Sequence, residues 1–407
     1  MSLTARDFIT SDAHRTALKE DALRQFAFFD ASRDPDGGYH ALDVDGAPIQ
    51  GAMKELHCTT RLVHSYALGK IAGRSNCDPI IDQGMAYLWA HHSDPDHGGY
   101  VWGLTDHTPV DTRKLAYGHV FVLLAGASAK AVGHPDADRL INDVDQVLDQ
   151  HFWEDEPGLF CDEWTRDWAP FSTYRGMNSN MHGVEALLAA YEATGREKFL
   201  VRAGRILSFF MFDKAPAQGW RLPEHYTQTW QIDPGYAGDP MFRPAGTTPG
   251  HSFEMARLLL HYAELTGTLH DDTLNTARAV AHQALKDAWD PQHGGVCYTL
   301  TLDGLPDIKD RYWWPVTEAI GVFAALLKVS PDVNEAEHYR RLWDFAETAF
   351  IDKARGGWIP EIDAAGRPTT TQFAGKPDLY HALQAVLFPL TPRVSGAYTD
   401  LAGVLAA

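Results

Sequence analysis

Two kinds of helical pattern alternate along this chain. One is amphipathic with a broad polar face, as in "DAHRTALKEDALRQFAFFD" from Asp12 and "AEHYRRLWDFAETAFID" from Ala336. The other is apolar almost all round, as in "KLAYGHVFVLLAGASAKAVG" from Lys114, "NMHGVEALLAAYEATG" from Asn180 and "TEAIGVFAALLKV" from Thr317. A helix with a polar stripe faces water, and one apolar on every side is buried. The alternation therefore predicts outer helices wrapped around inner ones.

Between the two kinds stands a short glycine phrase with β-forming residues. "DPDHGGYVWGL" ends its glycine pair at Gly99, and "DPQHGGVCYTL" at Gly295, where "HGGVCYTLTLDG" reads as a small hairpin. Six copies carry their last glycine at Gly38, Gly99, Gly158, Gly219, Gly295 and Gly357, at intervals of 61, 59, 61, 76 and 62 residues. A near-constant period of this kind marks a repeat architecture. Each unit is an outer helix, a short β-turn excursion and an inner helix. An open solenoid needs atypical capping repeats, and here the first and last units look like the middle ones. The expected fold is thus all-α: a closed (α/α)6 barrel of six helix pairs with short β-hairpins at one end. No Ser/Gly linker or charge run divides residues 1–407, which are read as one domain.

The few polar residues on the inner helices recur at one phase. Counted from the last glycine of each phrase, Arg61 lies 23 residues on, Tyr117 18, Asn178 20, His182 24, Trp314 19, Glu318 23 and His381 24. In a ring these helix starts converge on one rim. The fourth unit is displaced, with His251 and Glu254 at 32 and 35. Its extra residues fall in "PEHYTQTWQIDPGYAGDPMFRPAGTTPG" from Pro223, and long loops in compact domains are usually lids or binding loops. Asn178 and His182, like Trp314 and Glu318, are i,i+4 pairs on one helix face. His182, His251 and His381, at matching phase in separate units, are candidate proton-transfer groups. His64 and His119 lack that support and read as packing residues. Arg61 and Glu318 also fit a buried ion pair with each other. Asp94, Asp96 and Asp290 read as turn residues.

Composition narrows the chemistry. The net charge of -19 excludes a nucleic-acid partner, which needs an excess of Lys and Arg, and an anionic membrane surface. A neutral small substrate is compatible with it. Cys58, Cys77, Cys161 and Cys297 show no CxxC spacing, so neither a disulfide framework nor a zinc knuckle is expected. The N-terminal stretch lacks an apolar h-region, and no window is long enough to span a bilayer, so a cytoplasmic location is expected. There is no HExxH motif or EF-hand loop, and no carboxylate cluster at rim phase of the kind hard cations need. No metal and no cofactor are expected.

"RGMNSNMHGVEALLAAYEATG", "PGHSFEMARLLL", "RYWWPVTEAIGVFAAL" and "KPDLYHALQAVLFP" resemble the N-acylglucosamine 2-epimerase superfamily over nearly the whole chain. The resemblance implies an (α/α)6 barrel and cofactor-free chemistry on a monosaccharide, in a monomer or homodimer. It implies that His251 and His381 are paired acid/base histidines and that His182 assists ring opening. Arg61, Tyr117, Asn178, Glu254, Trp314 and Glu318 match substrate-contacting positions, with Arg61 and Asn178 as enediolate donors. The "FRPAGTTPGH" run resembles the aldose–ketose isomerase branch (mannose or sulfoquinovose), where an arginine near Arg243 sits in the corresponding loop. The reading is mannose–fructose isomerisation, with 2-epimerisation as the alternative. Two further readings are a glycoside hydrolase built on Glu254 and Glu318, which needs paired carboxylates, and a non-catalytic sugar-binding protein.

Overall fold

The structure is a computed structural model that describes residues 5–238, 241 and 243–406. Twelve helices among the described residues build the body: α1 (Asp12–Phe29), α2 (Leu56–Ile71), α3 (Asp78–Tyr87), α4 (Ala116–Ala131), α5 (Ala137–Val147), α6 (Met177–Thr194), α7 (Glu197–Leu207), α8 (Pro249–Thr266), α9 (Asp271–Ala288), α10 (Trp313–Val329), α11 (Val333–Ala349) and α12 (Tyr380–Leu387). The even-numbered helices form the inner layer. Each packs on the next, and α12 returns to α2, so the ring is closed. In space each inner helix pairs with the outer helix that follows it in sequence, and α1 completes the last pair by packing on α12. The inner layer is buried as its apolar pattern requires. In α10, for example, every residue from Trp313 to Leu327 is buried. No helix among the described residues is long and apolar enough to cross a membrane.

The repeated glycine has a backbone reason. All six, from Gly38 (φ 71°) and Gly99 (φ 67°) to Gly357 (φ 67°), are left-handed, a conformation that costs glycine nothing and other residues strain. Beyond this corner the chain runs into short antiparallel bridges between neighbouring units. Lys54–Glu55 pair with Gly103–Leu104, Lys114–Leu115 with Glu163–Trp164, Arg175–Gly176 with His225–Tyr226, and Arg311–Tyr312 with Glu361–Ile362. Thr247 bridges Leu300, and Lys376 bridges Leu42, which joins the sixth unit to the first. The hairpin expected at His293–Gly304 is reduced to isolated bridges, Trp289↔Val296 and Leu300↔Pro306. Its Leu300 spends both its N–H and its C=O on Thr247 of the neighbouring unit, while Thr299 and Thr301 bond Asp307 and Leu305 across the turn.

The aspartates of the glycine phrases do more than shape turns. The Asp94 carboxylate accepts the Asp96 N–H and also binds the buried Lys114 ammonium at 3.0 Å. The same acid–cation pairing joins Asp34 to Lys54, Glu154 to Arg175, Asp290 to Arg311 and Asp352 to Lys376. Each cation lies just before an inner helix and fixes where that helix starts. In the fourth unit the position is Thr247.

Candidate functional site

The starts of α2, α4, α6, α8, α10 and α12 present their polar side chains to one another. The Arg61 guanidinium donates to Asp378 Oδ2 and to Tyr117 Oη, each at 3.0 Å. It lies between the Phe121 and Tyr380 rings, 4.6 Å from each centroid. Tyr117 meets His182 edge-on at 5.3 Å, His182 lies 6.4 Å from His381, and Trp314 lies 5.7 Å from His381 and 5.0 Å from His251. The three histidines thus belong to one continuous cluster, linked through Trp314. Gly250 is what lets Trp314 lie so close to α8: a Cβ there would meet its ring at 2.3 Å. Asn178 stands at the start of α6, its buried Oδ1 without a hydrogen-bond partner.

Two imidazoles are held in the same way. His251 Nδ1 lies 2.9 and 3.0 Å from the two Glu224 oxygens, and His381 Nδ1 lies 2.8 Å from Glu318 Oε1. A carboxylate oxygen accepts, so in both cases Nδ1 carries a proton toward the acid and Nε2 is turned away from it. Burial lowers the His381 pKa from that of an ordinary imidazole, while Glu318 opposes the shift. Burial depresses His182 to about 3, so it too is neutral. The His251 side chain is 12% exposed, against 3% for His182 and 6% for His381. Of the three imidazoles His251 is the most open.

A carboxylate cluster does form here, contrary to the sequence expectation. Oxygens of Glu254 and Glu318 lie within 4.8 Å of each other and of His381, and Glu254, Glu185 and His182 form a second such group. The reason is Arg257, buried one turn below Glu254, which binds Glu318 Oε2 at 3.3 Å and lies 3.8 Å from Glu254 Oε1. Its charge holds the Glu318 carboxyl below the usual range against the effect of burial. Glu254 goes the other way: burial, with Glu318 and Glu185 beside it, raises its pKa well above the ordinary value.

That shift has a testable sign. Glu254 keeps its proton in the fold at a pH where the unfolded chain, with a pKa of about 4.3, has lost it. The native state then binds the extra proton, and stability falls as pH rises from that value through the raised one. Glu254→Gln removes the titration at nearly constant shape. Its Tm relative to the parent chain should climb between about pH 5 and pH 8 in thermal denaturation. A difference independent of pH would mean that Glu254 is ionised in the fold.

Other placements depart from expectation. The counter-ion of Arg61 is Asp378, not Glu318, because α12 closes against α2. Arg243 pairs with Glu163 at 2.9 Å and stacks 4.1 Å from the Tyr174 ring, and these contacts belong to the third unit's rim rather than to the imidazoles. Asp239, Pro240 and Phe242 of the expected flap lie outside the described residues. His64 and His119 are buried on Ser128 and on the Leu115 carbonyl and Tyr100 N–H, as packing groups. Several functional positions escaped the sequence. Glu185 and Arg257 are i+3 from His182 and Glu254, so helix-face spacing would have found them. Glu224 follows Gly219 by 5, as Glu163 follows Gly158. Asp378 and Tyr380 had no local signal, since their partners are far away in the chain.

Comparison with known proteins places this geometry. The family model described as N-acylglucosamine 2-epimerase (GlcNAc 2-epimerase) matches residues 37–385. The chain is 39% identical to the D-mannose isomerase of Thermobifida fusca, covering 95% of this chain and 97% of that one. It is 37% identical to the D-mannose isomerase of Pseudomonas cannabina pv. alisalensis, covering 98% of both. A crystal structure of D-mannose isomerase superposes with a TM-score of 0.86 at 31% identity, over 92% of this chain and 97% of that one.

Proposed function

The chain belongs to the N-acylglucosamine 2-epimerase family, and from that premise we propose that it interconverts D-mannose and D-fructose through a cis-enediol. The observation that carries this reading is the pair of Nδ1-anchored imidazoles, His251 on Glu224 and His381 on Glu318, both beside Trp314.

The steps follow from ordinary acidities. Mannose must open, which moves a proton between O1 and O5. The C1 carbonyl then acidifies the C2 proton. An imidazole Nε2 whose tautomer is fixed by a carboxylate is a base suited to near-neutral pH. One of His251 and His381 takes the C2 proton, and the other assists ring opening or reprotonation, with His182 near the ring oxygen. Delivery of the proton to C1 gives the ketose. Charge developing on the enediolate oxygens calls for fixed donors. Arg61 keeps a buried Nε–H with no partner, a donor to an enediolate oxygen, while the free Asn178 Oδ1 can accept from a sugar hydroxyl and its NH2 can donate to a sugar oxygen. Trp314 offers an apolar face to the hexose. Arg243 is kept as a substrate contact of the long loop, one that must leave Glu163 to act. All six units feed one site, so residues 1–407 are taken as one catalytic domain, cytoplasmic, acting as a monomer or homodimer on a monosaccharide.

Glu254 and Glu318 do not suit glycoside hydrolysis. Their oxygens lie within 4.8 Å, both side chains are buried, and Arg257 is close to both, so no glycosidic bond fits between them. Proton NMR of D-mannose incubated with the protein in heavy water tests the assignment. Fructose signals should grow, with deuterium entering at C1. Glucose deuterated at C2 would instead make the chain an epimerase, and no turnover a binding protein.

A further inference from the structure

Near Arg61 on the chain, three donor side chains meet that the isomerase reading does not use. Glu55 ends the short strand before α2, and His57 and Cys58 open the helix. One ligand atom from each lies within 4.8 Å of the others. His57 lies 3.5 Å from Cys58 Sγ through Nε2 and 4.0 Å from Glu55 Oε2 through Nδ1. The His57 side chain is 11% exposed, and its ring is held flat on Trp102, at 5.0 Å and 7°. Its Nδ1 is buried and has no hydrogen-bond partner. A buried imidazole nitrogen without a partner is costly, and here it faces the Glu55 carboxylate.

We propose that Glu55, His57 and Cys58 form a binding site for a thiophilic divalent cation of the zinc type. The donor set is one oxygen, one nitrogen and one sulfur, which suits zinc or cobalt and not magnesium or calcium. Three protein ligands leave a fourth position open. On binding, Cys58 gives up its thiol proton to solvent and ligates as thiolate, and Glu55, whose carboxyl burial pushes up to about 7, sheds the proton it still holds near neutral pH, so one to two protons are released per ion. His57 and Cys58 precede Arg61 by four and three residues and share its helix face. An occupied site therefore sets a divalent charge one turn from the guanidinium that the proposed reaction employs. Zinc should act as an inhibitor of that reaction, relieved by a chelator.

The test uses the full chain, stripped of metal, titrated with cobalt(II) and then zinc. Cobalt should produce a thiolate charge-transfer band in the near ultraviolet at one equivalent, and zinc should displace it. Cys58→Ala should abolish the band and the zinc inhibition while keeping wild-type turnover. His57→Gln should weaken binding. A band that persists in Cys58→Ala, or no band at millimolar cobalt, overturns the proposal. The optical readout does not depend on which sugar is turned over, so failure here and failure of the isomerase reading are told apart.

Discussion

His381→Asn should lower kcat for the mannose–fructose conversion by about 10³-fold while the fold and thermal transition stay near those of the parent chain. Removing a positioned general base or acid costs on the order of 10²–10⁴ in rate. Asparagine keeps a donor for Glu318 and removes the Nε2 base. Glu318→Gln tests the same device through its anchor. The amide can donate to Nδ1, which drives the ring proton to Nε2 and leaves no lone pair facing the sugar. Its kcat should fall toward that of His381→Asn with little change in KM. In the parent chain, burial lowers the His381 pKa, so the imidazole stays neutral to lower pH. The acid limb of kcat/KM should therefore lie below the value of about 6.5 for a free imidazole. A profile with that limb above 6.5, or full turnover in His381→Asn, would remove this residue from the mechanism.

The largest effect on stability is expected at Asp378. Asp378→Ala leaves the Arg61 charge buried between two aromatic rings with no counter-ion. Removal of one partner of a buried pair costs about 3–5 kcal/mol, which urea denaturation would register as a lower midpoint. The double variant Arg61→Met, Asp378→Leu removes both charges and keeps most of the volume. It should regain most of the lost stability, since replacing a buried pair by apolar groups is often neutral. It should not regain turnover, because the donor to the enediolate oxygen is gone. If the double variant is as unstable as Asp378→Ala, the ion pair is not the source of the loss. If it is active, Arg61 is not a donor.

What the sequence showed and what it hid divide along a physical line. The ring was legible because each unit repeats the same local demands, a left-handed glycine and an apolar helix, and such demands are written within a few residues. His182, His251 and His381 were legible because polar groups stand out on an apolar helix. Long-range pairings were not legible. Asp378 finds Arg61, and Glu318 finds His381, only because α12 meets α2 and α10, and no spacing rule spans 317 residues. The hairpin expected near Gly295 is shifted along the chain for a related reason: its turn forms at Asp303–Gly304 and Thr299 pairs with Asp307, while Leu300 gives both its backbone groups to Thr247 of the preceding unit, a choice invisible within the stretch itself.

The Leu42–Lys376 bridge and the packing of α1 on α12 tie the beginning of the chain to its end. During synthesis the first inner helix emerges with Arg61 exposed to water and waits for its counter-ion. At ordinary ribosomal speed that wait is on the order of tens of seconds. Every shorter nascent chain lacks part of the catalytic cluster, and a premature stop before residue 376 leaves an arc with two raw edges. The cluster is therefore assembled only when the last inner helix closes on the first.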